Sequence, residues 1–285
     1  MTPGQYIRHE SELGAWEVEL RQPHVLLAPY VERYAVYREH IAGFSRRREV
    51  PSAIVPLLIS LGPAICVGAP ADPGRTPRPY DAFVAGPHDS FALTESGGEQ
   101  AGIQVNFTLV GARMFLGLPL QELANRAFPV DEVLGAEGRI LVERLRAAPS
   151  WDACFVALER AILERLARAT PVPEDIAWTT AELSRPDRLP IATMASMVGY
   201  SHKQLVVRFR REIGLPPNTL ARVFRFERAL ALLEQRPRAR WTDIAAECGY
   251  YDQAHLSRDF RAFTGYAPGE YRRRMVADNG GVIDF

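Results

Sequence analysis

The sequence lacks several features that would assign the protein to a particular functional class. Its 285 residues contain three cysteines and a single lysine. No apolar run approaches the roughly twenty residues that cross a bilayer, and the N-terminus lacks the basic and then apolar pattern of a secretion signal. We therefore expect a cytoplasmic protein with no membrane partner.

Residues that usually bind metals or carry out catalysis are also sparse. The three cysteines are an odd number, widely spaced in apolar neighbourhoods, which predicts reduced core side chains: Cys66, Cys154 and Cys248. The first half has four lone histidines and no His-x-His pair, and such residues are more often structural or exposed than metal ligands: His9, His24, His40 and His88. No nucleophile elbow, phosphate loop or dinucleotide fingerprint is present. We expect no enzyme activity, no cofactor and no metal site.

The formal net charge of zero conceals a difference between the two ends of the chain. Residues 176–285 contain 17 Lys and Arg against 12 Asp and Glu, a net charge of +5. The preceding residues, 1–175, contain 17 against 22, a net charge of −5. A basic C-terminal end favours phosphate binding, although an excess of five is modest evidence.

What the sequence does contain is a repeat near its C-terminus. Residues 191–217 and 241–268 are two copies of one pattern, the second longer by one residue between Tyr250 and Leu256. Six positions carry the same residue in both copies: Ala195 and Ala245, Gly199 and Gly249, Tyr200 and Tyr250, Phe209 and Phe260, Gly214 and Gly265, Pro217 and Pro268. Two copies are too few for a solenoid, so the repeat favours recognition of two sites.

Each copy predicts a helix, a sharp turn at glycine and a second helix, over residues 191–213 and 241–264. The second helix of each copy has an apolar stripe: Leu205, Phe209 and Ile213 in one, Leu256, Phe260 and Phe263 in the other. Polar and basic residues occupy the opposite side. In a helix-turn-helix the second helix enters the major groove, where Gln, Ser and Arg can bind base edges. A helical bundle with solvated arginines is the alternative for one copy, whereas two matched copies favour DNA binding.

These residues resemble the AraC/XylS family of bacterial transcription regulators over about the last hundred positions. The resemblance is carried by Gly199-Tyr200-Ser201 with Leu205 and Phe209, by residues 249–260, and by residues 265–272. In that family a long helix joins the two motifs, which read adjacent major grooves. Asn218–Gln235 would be that helix, and its eighteen residues would span roughly 27 Å, near the 34 Å of one DNA turn.

The resemblance and the outward helix faces together predict the DNA-contacting residues. Those of the first copy are His202, Lys203, Val206, Val207, Arg210 and Arg211. Those of the second are Gln253, Ala254, His255, Ser257, Arg258 and Arg261. Two valines stand where the family often has long polar side chains, and valine can only contact a thymine methyl. We therefore expect the second copy to carry most of the base discrimination.

The first 110 residues predict a β-rich unit interrupted by one early helix, Ala28 to Tyr37. Short apolar runs predict strands at Ala53–Leu61, Ala64–Val67, Ala82–Ala85, Phe91–Thr94 and Gly102–Thr108. Turn signals separate them at Ala71-Asp72-Pro73-Gly74, Gly86-Pro87 and Ser96-Gly97-Gly98. Helical patterns follow at Ala112–Leu116, Leu120–Asn125, Val130–Leu134, Arg139–Ala147 and Trp151–Arg168, then at Ile176–Leu183.

The chain is thus predicted to be α+β, with a sensor or dimerisation domain at 1–170, a linker at 171–175, a DNA-binding domain at 176–275 and a tail at 276–285. The N-terminal half resembles the cupin-like sensor domain of many AraC/XylS regulators, which binds a small effector, dimerises, or does both. Six side chains are candidates to line an effector cavity, although strand aromatics are more often core: Trp16, Tyr80, Phe83, Phe91, Gln104 and Asn106.

The predicted function is that of a one-component transcription regulator that binds double-stranded DNA under the control of a small molecule. A homodimer fits this function, as does contact with RNA polymerase if the protein activates transcription. The alternative is a cupin-like enzyme or a ligand-sequestering protein with a non-functional DNA-binding tail.

Overall fold

The N-terminal half is built around one antiparallel sheet. In the computed structural model, the described residues are 4–11, 14–68, 77–276 and 281–282. The strands of the sheet are β1 (Gln5–Ser11), β2 (Gly14–Arg21), β3 (Val31–Glu49), β4 (Ile54–Ser60), β5 (Ile65–Gly68), β6 (Arg78–Tyr80), β7 (Ala82–Ala85), β8 (Ala92–Thr108) and β9 (Ala127–Pro129). Their order is β1-β2-β3-β8-β4-β7-β9, with β5 pairing β6 and the first part of β8.

The long pair β3 and β8 forms the centre of this sheet. Its register runs from Val31 opposite Phe107 to Glu49 opposite Ala92, and it shifts twice, once between Ile41 and Phe44. Apolar residues of both strands are almost fully buried: Val31, Tyr34 and Val36 from β3, and Ile103, Val105 and Phe107 from β8. The predicted β-rich unit is confirmed, and its strands are antiparallel.

Two local predictions in this half are wrong. The predicted helix from Ala28 to Tyr37 is a turn followed by the start of β3, because pairing with β2 and β8 satisfies its backbone on both sides. The predicted turn at Ser96-Gly97-Gly98 is instead part of β8, opposite Ser45 and Phe44 of β3. The predicted turn at Ala71 to Gly74 lies outside the described residues.

Helices pack beside the sheet in the second part of this half. They are α1 (Leu109–Leu116), α2 (Val130–Leu134), α3 (Ala136–Arg146) and α4 (Trp151–Leu166). Thr108 caps α1, where its side chain accepts a hydrogen bond of 3.0 Å from the Gly111 N–H. The predicted helix Leu120–Asn125 is only a 3-10 turn at Leu120–Glu122, and Asn125 has a left-handed backbone with φ of 59°. The chain then enters β9 instead of continuing as a helix.

Within the described residues, seven helices follow a short non-helical segment at residues 167–173. They are α5 (Glu174–Ser184), α6 (Ile191–Met197), α7 (His202–Ile213), α8 (Pro217–Gln235), α9 (Trp241–Glu247), α10 (Gln253–Thr264) and α11 (Pro268–Arg274). Two short strands, β10 (Met275–Val276) and β11 (Gly281–Val282), form a separate ladder. The predicted order, a β-rich part followed by a helical part, is confirmed.

The main hydrophobic core is continuous between the sheet and the C-terminal helices. One cluster of buried side chains includes Phe107 of β8, Phe115 of α1, Phe209 of α7 and Phe260 of α10. The cysteines are free, with Cys154 and Cys248 buried and Cys66 partly buried. Within the described residues, no helix is both long and apolar enough to cross a bilayer.

Candidate nucleic-acid interface

The two copies of the repeat fold into the same helix-turn-helix geometry. Gly199 and Gly249 each have φ of 75°, a left-handed conformation that glycine adopts without strain. The next residue in each copy then donates its N–H back to the first helix. Tyr200 donates to the Ala195 carbonyl at 2.8 Å, and Tyr250 donates to the Ala245 carbonyl at 2.9 Å. The same backbone turn therefore fixes the angle between the helices in both motifs.

The N-terminal ends of the two second helices are capped by side chains. Ser201 and Gln204 form a capping box at the start of α7, in which the Gln204 side chain accepts from the Ser201 N–H at 2.9 Å. Asp252 caps α10, where its carboxylate accepts from the His255 N–H at 2.6 Å. These caps hold in place the ends of α7 and α10 that enter the groove in a helix-turn-helix.

Most of the side chains predicted to contact DNA lie on the surface. On α7 the exposed ones are His202, Lys203, Val207, Arg210 and Arg211, whereas Val206 is partly buried. On α10 the exposed ones are Gln253, Ala254, Arg258 and Arg261, whereas His255 and Ser257 are partly buried. Val207 is 61% exposed, which leaves it free to contact a thymine methyl.

Two residues of α10 already have partners within the chain. The His255 ring packs edge-on against Tyr250 with 5.2 Å between ring centroids, and its Nδ1 accepts from the Tyr251 N–H at 3.5 Å. The Ser257 hydroxyl donates to the Gln253 carbonyl at 2.9 Å, so it is left as an acceptor for a base or phosphate group. These contacts within the chain thus restrict the orientations of both side chains.

The basic groups on the two helices are available for phosphate or base contact. Among the described residues, Lys203, Arg210, Arg258 and Arg261 form no ion pair, and Arg211 approaches Glu212 only at 3.8 Å. A cation without an internal partner can neutralise a phosphate without first breaking a salt bridge. The exposed face of α7 and α10 is accordingly electropositive.

The structure adds an ion pair that the sequence did not predict, beneath the second motif. Asp259 of α10 is buried, and one carboxylate oxygen accepts from the Arg222 guanidinium of α8 at 2.8 and 3.0 Å. Arg225, one turn further along α8, lies over the Tyr250 ring at 4.8 Å and donates to the Gly249 carbonyl at 3.2 Å. Two arginines of α8, the helix that connects the motifs, therefore hold the turn of the second motif and α10. We call α7 and α10, the second helices of the two motifs, the recognition helices.

The first motif has a corresponding pair with the charges exchanged. Arg208 occupies the repeat position of Asp259, and its guanidinium lies 3.6 Å from the Asp175 carboxylate of α5. The same guanidinium lies over the Tyr200 ring at 4.9 Å. Sequence alone shows only scattered charges here, because partners 33 and 37 positions apart give no local signal.

Aromatic rings form the core under the second motif. Phe260 lies within 5.5 Å, between ring centroids, of three other rings: Phe226 at 5.0 Å, Trp241 at 5.4 Å and Tyr271 at 5.5 Å. These rings belong to α8, α9 and α11, so a single side chain of α10 contacts the other helix of the second motif and both helices that flank the motif in sequence. Edge-to-face contacts of this kind add to the free energy of burial.

The six candidates for an effector cavity lie in separate surroundings. Trp16 stacks on His9 at 3.9 Å, and Tyr80 and Phe83 pack with Ile65 in a small cluster of their own. The Gln104 amide donates to Asn106 at 2.7 Å, and the Phe91 ring lies 4.3 Å from the Arg48 guanidinium. A cavity lined by all six stays a prediction. Within the part of the chain that the structure describes, no three His, Cys, Asp or Glu side chains are placed to hold a metal ion.

Comparison with known proteins gives separate matches for the C-terminal helices and for the N-terminal half. Residues 194–274 match the model of a helix-turn-helix domain. The F1 operon positive regulatory protein of Yersinia pestis is 36% identical over 74 residues, which are 26% of this chain and 24% of that protein. The transcriptional activator RhaR of Klebsiella pneumoniae is 30% identical over 146 residues, 51% of this chain and 47% of that protein. The C-terminal part of the chain carries an AraC-type helix-turn-helix domain.

The N-terminal half has a less informative match. Residues 19–129, which run from β2 to β9, match the model of a domain of unknown function, DUF6597. Among solved structures, ToxT of Vibrio cholerae O395 is 12% identical, with a TM-score of 0.47 over 84% of this chain and 96% of that one. The chain spans less than half the length of the curated relatives it matches.

Proposed function

We propose that the protein is a transcription regulator whose C-terminal domain binds double-stranded DNA by placing α7 and α10 in successive major grooves. The observation that carries the proposal is the exposed, electropositive face that two geometrically equivalent motifs present. The connecting helix α8 has nineteen residues and a length of roughly 28 Å, which approaches one turn of DNA. Successive grooves on one side of a duplex lie about 34 Å apart, so the connector is of the order of length that they require.

The division of labour that we propose follows the predicted boundaries. Residues 1–170 sense a small molecule or dimerise, 171–175 link, 176–275 bind DNA and 276–285 form a tail. The named relatives are an operon regulatory protein and a transcriptional activator, which supports this assignment. A small effector would act by binding one arrangement of the two motifs better than another, because a ligand shifts an equilibrium only through such a difference. Under this proposal the protein is not an enzyme.

Retention of DNA tests the proposal directly. The purified full-length chain is expected to retain a subset of fragments from its own genome in a mobility-shift assay with excess random competitor DNA. The retained fraction is expected to fall steeply as salt rises, because bound phosphates release counterions. The proposal fails if no fragment is retained above the competitor at low salt, with or without a cell extract that could supply the effector.

A pair of arginine variants separates base reading from phosphate binding. Arg258→Ala is expected to weaken binding to the retained sequence by about 1 to 3 kcal/mol and to relax the base preference, as the loss of a guanine contact would do. Arg261→Ala, one turn further along the same exposed face, is expected to weaken all sequences alike. Titrations against retained and random DNA measure both effects. Equal losses on the two DNAs for both variants would contradict this assignment of roles.

A further inference from the structure

The C-terminal ends of both recognition helices rest on the N-terminal half, at the same position of the repeat. Gly214 ends α7 and Gly265 ends α10. A methyl group on Gly214 would lie 3.0 Å from the Leu120 carbonyl oxygen and 3.1 Å from Pro87. A methyl group on Gly265 would lie 2.8 Å from the Phe91 ring. The two copies therefore dock on one surface through equivalent glycines.

One loop of the N-terminal half, which contains the sheet and is called the sheet half below, contributes to both of these contacts. The loop consists of residues 86–91. Pro87 meets the end of α7 and Phe91 meets the end of α10. The loop is fixed from behind, since Asn125 donates to the Pro87 carbonyl at 2.9 Å and accepts from the Asp89 N–H at 3.0 Å. A loop held in this way can act as a spacer of constant size between the two motifs.

Arg48 of β3 fastens the second motif to this loop. Its guanidinium lies 4.3 Å from the Phe91 ring centroid and 3.9 Å from that of Tyr266, so it stacks with both rings. It also donates to the Thr264 carbonyl at 2.8 Å, in the last turn of α10. Arg274 lies over Tyr266 at 4.6 Å and extends the stack. Planar stacking and a directed hydrogen bond together fix the end of α10 in position and angle.

Arg113 of α1 fastens the first motif. Its guanidinium Nε donates to the Glu212 carboxylate of α7 at 2.7 Å, and both side chains are only 13% exposed. A third contact reaches the connector, where the Glu227 carboxylate of α8 accepts from the Ala53 N–H at 2.8 Å. Burial raises the pKa of Glu227 to about 7. The sheet half thus contacts α7, α8 and α10 at separate points.

These contacts leave the proposed DNA-binding face uncovered. They involve the last turns of α7 and α10, whereas His202, Lys203, Gln253 and Ala254 are exposed in the first turns. A contact that blocked DNA would cover the first turns, which enter the groove. The arrangement accordingly favours positioning of the motifs over occlusion.

We propose that Arg48, Arg113 and the 86–91 loop are positioning elements that set the separation and angle between the two recognition helices, and so define which half-site spacing the protein accepts. This inference rests on the proposed function. Its physical basis is that two linked binding modules gain affinity only when their geometry allows both to bind at once. The sheet half would then specify the operator without touching DNA.

The first test measures spacing preference with DNA selected from a random pool by the wild-type chain. Two base pairs inserted between its half-sites rotate one by about a fifth of a turn. The wild type is expected to bind the selected DNA about tenfold more tightly than the inserted one, and Arg48→Ala/Arg113→Ala only about twofold more tightly. Binding to DNA with a single half-site is expected to be unchanged. An undiminished preference in the double variant would overturn the inference.

A matched control is Arg46→Ala combined with Arg160→Ala. Arg46 lies two residues before Arg48 on β3 and pairs with Glu95 of the same sheet, and Arg160 pairs with Glu164 on the surface of α4. This variant loses two guanidinium groups but no contact to either motif, so the wild-type spacing preference is expected. If it relaxed the preference as strongly, a general loss of stability would explain the result. If thermal unfolding shows that Arg48→Ala/Arg113→Ala is not folded, Arg48→Lys/Arg113→Lys is used in its place.

A second test requires no DNA and separates this inference from the proposed function. Spin labels at Met197→Cys in α6 and Ala262→Cys in α10, both exposed, report the distance between motifs. Cys66→Ser removes the one native cysteine that is not buried. We expect one narrow distance distribution for the wild type and a broader one for Arg48→Ala/Arg113→Ala. Equal widths would refute positioning, whereas narrow wild-type distances without DNA retention would refute only the proposed function.

Discussion

Phe260→Ala is expected to lower the free energy of unfolding by about 3 to 5 kcal/mol, the range for deleting a fully buried aromatic side chain. Phe260 is 0% exposed and contacts the rings of Phe226, Trp241 and Tyr271. The cavity would open among helices α8 to α11 and would release α10 from its scaffold. Specific DNA retention is expected to be lost with it. Urea titration followed by circular dichroism measures the stability, and a mobility shift measures the retention.

Tyr251→Ala is the control for this variant. Tyr251 belongs to the same motif and is also aromatic, but it is 93% exposed, so its truncation is expected to change stability by less than about 0.5 kcal/mol. A loss for Phe260→Ala no larger than that for Tyr251→Ala would mean that the aromatic cluster does not hold the second motif together.

Arg222→Ala is expected to destabilise the protein by about 3 kcal/mol, because it leaves the Asp259 carboxylate buried without its charged partner. Asp259 is 2% exposed, and both of its hydrogen bonds to the guanidinium would be lost. The double variant Arg222→Met/Asp259→Leu is expected to recover most of that stability, since apolar side chains of similar volume can replace a buried ion pair. Denaturant unfolding of the wild type, Arg222→Met, Asp259→Leu and the double variant gives the coupling energy.

The pair in the first motif provides the comparison. Arg208 and Asp175 are 3.6 Å apart, and the Asp175 side chain is 19% exposed whereas that of Asp259 is 3% exposed, so the effect of Arg208→Ala is expected to be under about 1 kcal/mol. A similar loss of unfolding free energy for Arg208→Ala and Arg222→Ala would show that burial of the carboxylate does not determine how much stability is lost. Additive single effects at Arg222 and Asp259 would show that the two groups do not interact.

Much of the C-terminal domain was predictable because its signals are local. The repeated glycines, the tyrosines after them and the apolar stripes lie within one helical turn or one tight turn of their partners. The motifs predicted at 191–213 and 241–264 accordingly coincide with the helices of the structure. The connector begins one residue earlier than predicted, at Pro217, whose ring suits the first turn of a helix.

The sheet was harder to predict because distant strands determine it. Tyr30, Tyr34 and Tyr37 recur at helical spacing, which supports the wrong prediction of a helix before the partners of β3 are known. Ser96-Gly97-Gly98 has the composition of a turn, yet it pairs with β3, and the left-handed backbone of Gly98 coincides with a register shift in that pairing. The contacts of Arg48, Arg113 and Arg222 were missed for the same reason. An arginine looks solvated in a sequence unless its partner is a neighbour along the helix.

The opposite charges of Arg208 and Asp259, which occupy the same position of the repeat, affect how the two motifs fold. They favour packing of each recognition helix in its own place over packing in the place of the other. Each recognition helix has a similar apolar stripe, so each could pack against the helices that surround the other. Such an exchange would bring Arg208 of α7 against Arg222 of α8, and Asp259 of α10 against Asp175 of α5. Like charges at partly buried positions repel, which makes the exchanged assembly unfavourable. The two similar motifs thus carry opposite charges at one repeat position, and these charges favour the observed placement of α7 and α10.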